Sequence, residues 1–416
     1  MEAINKHFKS LLHDHWQFLD EEWPTMEPLN NHRTSIKDVP HINDIKSKLM
    51  KRLGAIPIFF FLVVLWSGVH YPGPYRELDK GLLVLYHLMT GKSMEEMEPH
   101  IPKSSFYVIY AAFYKAQQKI LAKTIAKCLA TMFSTIHIRL HCAKLVNPEL
   151  FPHVTLHLDG HDTRLSCEEK TSAEMYSYKL KKAGVRTQVC TDCNGMTLLV
   201  SKSLPCKDNN DGTMLLGMKI HKHIHAMDCI AVDGGYTQYI TKLVEDNEMT
   251  KGNFCYPIRK PRGKELTKEE ANYNSIFGSF RSQMEAVFGD LGIIFEKHNN
   301  RKPVLVSKIE TYNLQLQLCL LLMNIKKMVA LLGIEVDPMH KAWLRDGFDY
   351  PCKNGAMEQN LEYIPVAEML GDMESMTKLQ EDFLKMSTME VDEEEAPTRK
   401  HAATFAVDAA LLKRNK

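Results

Sequence analysis

Net charge is almost absent from this chain of 416 residues, in which 52 Lys and Arg face 51 Asp and Glu to leave +1. This balance excludes a simple basic DNA-coating protein, so any contact with nucleic acid must come from local patches. A glycine-rich phosphate loop of the nucleotide-binding kind is also missing, so ATP or NAD is not indicated. No internal repeat is visible along the sequence.

Long apolar runs are scarce as well. The longest, Ile56 to Trp66, falls short of the roughly 18 residues that a membrane span requires, so we expect a buried core helix rather than a membrane contact. The first residues lack a charged and then apolar leader, so we expect a protein that is not secreted. Ten scattered cysteines then fit free thiols in a reducing compartment. Cys190 and Cys193 have no second C-x-x-C partner, which leaves zinc a weak alternative.

The N-terminal part of the chain is helical by pattern. Residues 1–50 are polar without a sustained period, and 51–150 predict helices. Between about 82 and 121 the order is helix, short helix, break and longer helix, with Ser104 as the cap of the last one. This outline predicts a helix-turn-helix that would bring Ser104 and Lys115 near DNA. A purely structural helical domain remains the alternative.

From Phe151 onwards the pattern changes to strands mixed with helices. Alternating and fully apolar runs, with an Asn194-Gly195 turn between two of them, predict a mixed sheet with helices on its faces. The predicted strands are 153–158, 187–193, 196–203, 228–232 and 253–258, and the predicted helices are 213–225, 237–246, a long helix around Glu285, and 308–332. This α/β domain covers 151–333, and 334–416 is a C-terminal extension with a partly disordered acidic tail.

Three acidic residues stand at informative places in this domain. Asp159 ends an alternating run, Asp233 ends a buried run, and Glu285 lies on the later helix. Carboxylate oxygens are the ligands that hard divalent cations prefer, and two such cations can promote phosphodiester cleavage. The set therefore predicts a metal-dependent enzyme that cuts nucleic acid. Taken singly, the aspartates also fit Asp-Gly turns and Glu285 fits an ion pair with Arg281.

Two basic stretches of the same domain are candidates for phosphate contacts. The first contains Lys181, Lys182 and Arg186, next to Lys179. The second contains Arg259, Lys260, Arg262 and Lys264, and it leads into the helix of Glu285. Such segments give salt-dependent binding that is independent of sequence. Solvated loops are the alternative interpretation.

The order and the residues of three motifs resemble those of the DDE transposases of the PIF/Harbinger type and their domesticated relatives. The first is Leu158-Asp-Gly-His-Asp-Thr163, the second is Asp233-Gly-Gly-Tyr236, and the third is Arg281-Ser-Gln-Met-Glu-Ala-Val-Phe-Gly-Asp-Leu291. Gly234 and Ala286 depart from the family pattern. Asp162 is an alternative ligand in the first motif, although Asp159 is preferred for its place at a strand end.

The resemblance implies an RNase H-like catalytic core in which Asp159, Asp233 and Glu285 hold two Mg²⁺ or Mn²⁺ ions. It implies cutting and joining of transposon DNA, a homodimer that holds two DNA ends, and a Myb-like accessory DNA-binding protein. It also implies the nucleus as the location in a eukaryote, with the cytoplasm expected otherwise. A domesticated, catalytically silent DNA-binding or scaffold protein is the alternative, and an enzyme acting on RNA is a third possibility that the carboxylates alone leave open.

Overall fold

The structure is a computed structural model, and it describes residues 36–349 apart from 67–69, 117, 120, 124, 126–128, 130–135, 167–172, 174, 247–248, 261, 302, 306–308 and 347. The predicted acidic tail and most of the polar N-terminal segment therefore lie outside the described residues. The described part packs as two compact units. One contains the residues up to 123 and those from 322 onwards, and the other contains 125–321.

The first unit is helical. Its helices are α1 (Ile42–Leu53), α2 (Ala55–Phe60, continued by a π-helical segment Phe61–Trp66), α3 (Glu77–Thr90) and α4 (Lys103–Ala111, continued by a π-helical segment Ala112–Ala116). Every residue from Ala55 to Trp66 is buried, so the predicted core helix is confirmed. Trp66 stacks on Tyr71 with 4.0 Å between ring centroids.

The link between α3 and α4 differs in part from the prediction. Ser93 and Glu96 form reciprocal hydrogen bonds of 2.8 Å and 3.2 Å, but the short helix that they flank is a single 3-10 turn, Glu95–Met97. The cap position of α4 is Pro102, and Ser104 lies exposed in the first turn. Proline is well suited to a helix start because its missing N–H has no partner there anyway.

The second unit is a mixed sheet with helices. Its helices are α5 (Ile136–Val146), α6 (Asp211–Met218), α7 (Thr237–Asp246), α8 (Lys268–Arg281), α9 (Gln283–Ile294) and α10 (Ile309–Leu332), the last of which continues into the first unit. Its strands are β1 (Leu156–Ser166), β2 (Tyr176–Ser177), β3 (Lys182–Asp192), β4 (Thr197–Val200), β5 (Leu204–Pro205), β6 (Ile230–Ala231), β7 (Phe254–Cys255) and β8 (Val304–Leu305).

The long strands β1 and β3 form the centre of the sheet. They pair antiparallel, and β4 continues the antiparallel part on the other side of β3. On its opposite edge β1 pairs in parallel with β6, and β6 pairs in parallel with β7. The order across the middle of the sheet is therefore β4-β3-β1-β6-β7, with three antiparallel strands followed by two parallel ones.

Each face of the sheet has its own core. Leu156, Leu158, Ile230 and Val232 point to one face, where they pack with residues of α6 and α7. Residues one position away, such as Ala231, point to the other face, where the rings of α8 cover them. Period-two alternation explains the division, because successive side chains on a strand point to opposite sides.

Two sequence predictions near the acidic residues are wrong in detail. The first strand does not end at Leu158, because the ladder with β3 continues through Asp159↔Val189 to Arg164↔Gly184. Gly160 is therefore a strand residue rather than a turn residue, and a Cβ there would lie 2.5 Å from Asp211 Oδ1. The long helix around Glu285 is two helices, α8 and α9, that meet at Ser282.

Helix α10 matches the predicted helix, and Gly333, at φ 58°, follows its last residue. Its length and composition would let it cross a membrane, and the bent pair Ile42–Leu53 and Ala55–Trp66 passes the same test as one broken span. A core helix of a globular protein also passes this test, and 67% of the most apolar window of α10 is buried. We therefore treat α10 as a core helix.

Candidate carboxylate site

The first two predicted acidic residues stand on neighbouring strands or just after them. The parallel register of β1 and β6 pairs Leu156 with Ile230 and His157 with Ala231. Asp159 lies two residues beyond His157 on β1, and Asp233 lies two residues beyond Ala231 with extended backbone angles, φ −71° and ψ 162°. Neighbouring strands are about 4.8 Å apart, and residues in register point to the same face. Continuing the register by two residues would therefore bring both carboxylates to one side of the sheet.

Each of the two aspartates accepts a hydrogen bond from the backbone N–H of the glycine that follows it. Oδ1 of Asp159 accepts the Gly160 N–H at 2.8 Å, and Oδ1 of Asp233 accepts the Gly234 N–H at 2.6 Å. Each bond holds one carboxylate oxygen against the backbone, within strand β1 for Asp159 and in the loop after β6 for Asp233. Asp233 is exposed, whereas the side chain of Asp159 is only 15% exposed.

Helices α8 and α9 run along the same face of β1. Phe280 contacts His157 at 4.6 Å between ring centroids, Arg281 binds Asp159, and Phe288 contacts His161 at 4.7 Å between ring centroids. The three strand residues are two apart and so lie on one face. The register between the helices and β1 is therefore fixed on both sides of Glu285.

Glu285 stands in the first turn of α9, after the break at Ser282 that separates this helix from Arg281. Its side chain is exposed, whereas Met284, Val287 and Leu291 are the buried residues of α9. Among the residues that the structure describes, no three His, Cys, Asp or Glu side chains are close enough to hold a metal ion. The convergence of Asp159, Asp233 and Glu285 therefore stays a prediction.

The carboxylate of Asp159 forms an ion pair with a side chain of the protein itself, Arg281. Arg281 Nη1 donates to Asp159 Oδ2 at 3.0 Å, and this arginine is 19% exposed. Sequence reasoning missed the contact and offered Glu285 as the partner of Arg281. The i, i+4 rule applies within one helix, whereas Arg281 ends α8 and Glu285 stands in α9, and the packing of α8 on β1 decides which carboxylate the arginine reaches.

The chemistry of the three acidic residues suits a divalent cation, because carboxylate oxygens are the ligands that Mg²⁺ and Mn²⁺ prefer. In the structure, however, a positive charge of the protein already binds one of them, since the Arg281 guanidinium contacts Asp159. Burial raises the pKa of Asp159, and the charge of Arg281 and the Gly160 N–H oppose that rise. A metal at Asp159 would therefore have to displace Arg281 or share the carboxylate with it.

Neutral histidine rings flank the carboxylates. Burial, followed by the charge of Arg281, lowers the pKa of His157 to about 4. Burial, followed by the charge of Lys179, lowers the pKa of His161 to about 4. Both rings are neutral at pH 7, so they add no positive charge to the face of Asp159.

Asp162, the alternative ligand of the first motif, points to the other face of β1. Its carboxylate binds Arg186 through bonds of 2.6 Å and 2.9 Å and accepts the Ser177 hydroxyl at 2.6 Å. Arg186 also lies 3.3 Å from Asp211 and is only 14% exposed. This pair is part of the domain's interior. We therefore place neither Asp162 among the metal ligands nor Arg186 among the phosphate contacts.

The second basic stretch borders Asp233. The Arg259 guanidinium donates to the Gly234 carbonyl at 2.6 Å, which ties it to the loop that carries Asp233. Lys260 pairs with Glu265 at 2.5 Å. Arg262 and Lys264 are exposed, as are Lys181 and Lys182 of the first stretch. In the helical unit, Ser104 is exposed and Lys115 donates to the Tyr107 hydroxyl at 3.0 Å.

A comparison with protein families supports a DDE-type nuclease domain in this part of the chain. Residues 158–324 match the family described as DDE superfamily endonuclease, DDE_Tnp_4. The matched segment contains all three acidic residues and supports the DDE superfamily for this part of the chain. Searches of curated proteins and of solved structures found no match.

Proposed function

We propose that this chain is a metal-dependent DNA endonuclease and transposase of the DDE type, most similar in its motifs to the PIF/Harbinger group. The observation that carries the proposal is the parallel pairing of β1 with β6, whose register, continued by two residues, would bring Asp233 level with Asp159. The strand order, three antiparallel and then two parallel, supports an RNase H-like core for the same segment. The family match of 158–324 supports the superfamily.

Asp159, Asp233 and Glu285 would hold two Mg²⁺ or Mn²⁺ ions. When bound, such ions supply an activated water or DNA 3′-hydroxyl and stabilise the oxygen that leaves phosphorus. The protein's own part is to orient the ligands. Backbone N–H groups fix one oxygen of each aspartate, and the packing of Phe280 on His157 and of Phe288 on His161 holds the two helices that flank Glu285 against β1.

The basic side chains would hold the DNA backbone. Arg259 donates to the carbonyl of Gly234, the residue after Asp233, and Lys260, Arg262 and Lys264 follow it along the chain. Lys181 and Lys182 stand on the β2–β3 hairpin. Ser104 and Lys115 are proposed contacts of the helical unit, which we propose to be a helix-turn-helix. Two DNA ends require two active sites, so we also propose a homodimer. A Myb-like accessory protein and a nuclear location in a eukaryote complete the proposal.

A silent, domesticated DNA-binding or scaffold protein is the second candidate. The ion pair of Arg281 with Asp159 and the exposed position of Glu285 favour it, because a site that never loads metal would keep such an arrangement. An intact set of Asp, Asp and Glu favours the enzyme.

Plasmid nicking distinguishes the two candidates. The purified chain is incubated with supercoiled plasmid and Mg²⁺ or Mn²⁺, alongside Asp233→Asn, Glu285→Gln and the control Asp290→Asn, which removes another carboxylate of α9. The enzyme predicts metal-dependent nicking that both site variants abolish and the control retains. DNA binding without nicking, also after addition of candidate accessory proteins, would support the silent protein. Mass photometry of the DNA complex tests the dimer, and a monomer alone would refute it.

A further inference from the structure

The β2–β3 hairpin presents an aromatic ring among positive charges. Its tip, 178–181, joins Ser177 and Lys182, which are paired in the antiparallel register. Tyr178 is 72% exposed, and its ring packs edge-on against Tyr176 at 5.3 Å between centroids. Tyr176 to Lys182 contain three lysines, Lys179, Lys181 and Lys182, and no acidic residue.

The tip is held rigidly on the sheet. The Ser177 hydroxyl donates to Asp162 of β1 at 2.6 Å and accepts the Leu180 N–H at 3.1 Å. Gly184 permits the close approach, since a Cβ there would lie 2.9 Å from the Thr163 carbonyl oxygen. Tyr178 is therefore exposed on a fixed support rather than on a loose loop.

The hairpin also lies near the carboxylates. Asp162, to which Ser177 is bonded, is three residues from Asp159 along β1, or about 10 Å at about 3.3 Å per residue. Lys179 stands two residues after Ser177, in the tip of the hairpin that this hydrogen bond holds against β1. A DNA strand that passes Asp159 would thus meet the hairpin within a few nucleotides.

We infer that the hairpin is a DNA-strand contact in which Tyr178 stacks on an unpaired base and Lys179 binds a phosphate between that base and the carboxylate site. The inference rests on the proposed function, because it takes DNA as the substrate. An exposed aromatic among lysines fits a single strand, since every base offers a face for stacking and the lysines neutralise its backbone. In a duplex the bases are already stacked, so the contact selects frayed, flipped or cut DNA.

Fluorescence anisotropy of the full chain in Ca²⁺ tests the inference with a labelled single-stranded oligonucleotide and its duplex. Tyr178→Ala is expected to weaken single-strand binding by about fivefold or more and duplex binding by less. Tyr178→Phe, which keeps the ring, is expected to restore affinity to within about twofold. Lys179→Ala is expected to reduce the slope of log affinity against log salt by about 0.7. Met227→Ala and Lys222→Ala are the controls for loss of an exposed apolar and an exposed basic side chain.

A base analogue reports stacking directly. A 2-aminopurine in the oligonucleotide is expected to lose fluorescence on binding to the wild type and to Tyr178→Phe, but not to Tyr178→Ala. Equal affinity and equal quenching in wild type and Tyr178→Ala would overturn the inference and leave the endonuclease proposal standing if nicking persists. A wild type that binds neither oligonucleotide would overturn both.

Discussion

Arg281 is the residue on which the state of the carboxylate site depends. Its guanidinium binds the carboxylate that the metal would need, and both side chains are mostly buried. A divalent ion must therefore compete with a positive charge already in place, or the arginine must turn away. Burial raises the pKa of Asp159, and the charge of Arg281 opposes that rise without cancelling it.

Arg281→Gln should increase the affinity for Mn²⁺. Removing the guanidinium removes a like charge within a few ångströms of the ion, and we expect the dissociation constant to fall by about threefold or more. Isothermal titration with Mn²⁺ measures the change, and Arg301→Gln, an exposed arginine of the same unit, is the control. Weaker Mn²⁺ binding in Arg281→Gln would mean that the arginine organises the site instead of blocking it.

His161 gives the protein a stability that depends on pH. Its folded-state pKa is about 4, against 6.5 for an unperturbed ring, because burial disfavours the charged form. The unfolded chain therefore takes up a proton that the folded chain refuses, so the stability is full above about pH 6.5 and is lost as the pH falls towards 4. One such ring contributes about 2 kcal/mol of loss at pH 5.

His161→Gln should flatten this dependence. Urea unfolding at pH 7.5 and pH 5 should show a drop in the free energy of unfolding that is about 2 kcal/mol smaller in the variant than in the wild type. His223→Gln, which alters an exposed ring, should leave the drop unchanged. An identical drop in His161→Gln and wild type would show that the ring titrates normally in the folded protein.

Among the secondary-structure elements, the sequence predicted some helices and turns well but not the full length of strand β1. The Asn194-Gly195 turn, helix α7 and helix α10 follow from local signals, and the structure has them. The extension of β1 past Asp159 does not, because the Asp-Gly pair is a turn signal that only the neighbouring β3 overrides. The local sequence indicates a preference for a turn, but strand formation depends on pairing with a strand that is distant in sequence, and local residues do not reveal that pairing.

Helix α6 carries a matched pair of glycines that tests how closely it packs. A Cβ at Gly212 would overlap the ring of Tyr239 in α7, whereas a Cβ at Gly217 would meet nothing within 4 Å. We expect Gly212→Ala to lower the free energy of unfolding by about 1–3 kcal/mol. Gly217→Ala should raise it by up to about 1 kcal/mol, since alanine favours a helix over glycine. Urea denaturation measures both, and equal effects would contradict the packing of α6 on α7.

At the scale of the whole molecule, the sequence predicted the acidic residues better than their geometry. Asp159 and Asp233 were identified by motif, and the strands that lead to them pair in parallel. Arg281, the partner of Asp159, was not identified, because the contact joins residues 122 apart in sequence. The position of Glu285 depends in the same way on how α8 and α9 pack over β1, which local periodicity does not specify.

The whole account depends on Asp159, Asp233 and Glu285 meeting around one metal centre. Iron cleavage tests this directly: Fe²⁺ replaces Mg²⁺, ascorbate and peroxide generate radicals at the bound ion, and mass spectrometry locates the cuts in the chain. The account predicts cuts clustered near Asp159, Asp233 and Glu285, suppressed together by excess Mg²⁺ and by Asp159→Asn. Cuts elsewhere, or cuts at these places that persist in Asp159→Asn, would contradict a shared metal centre.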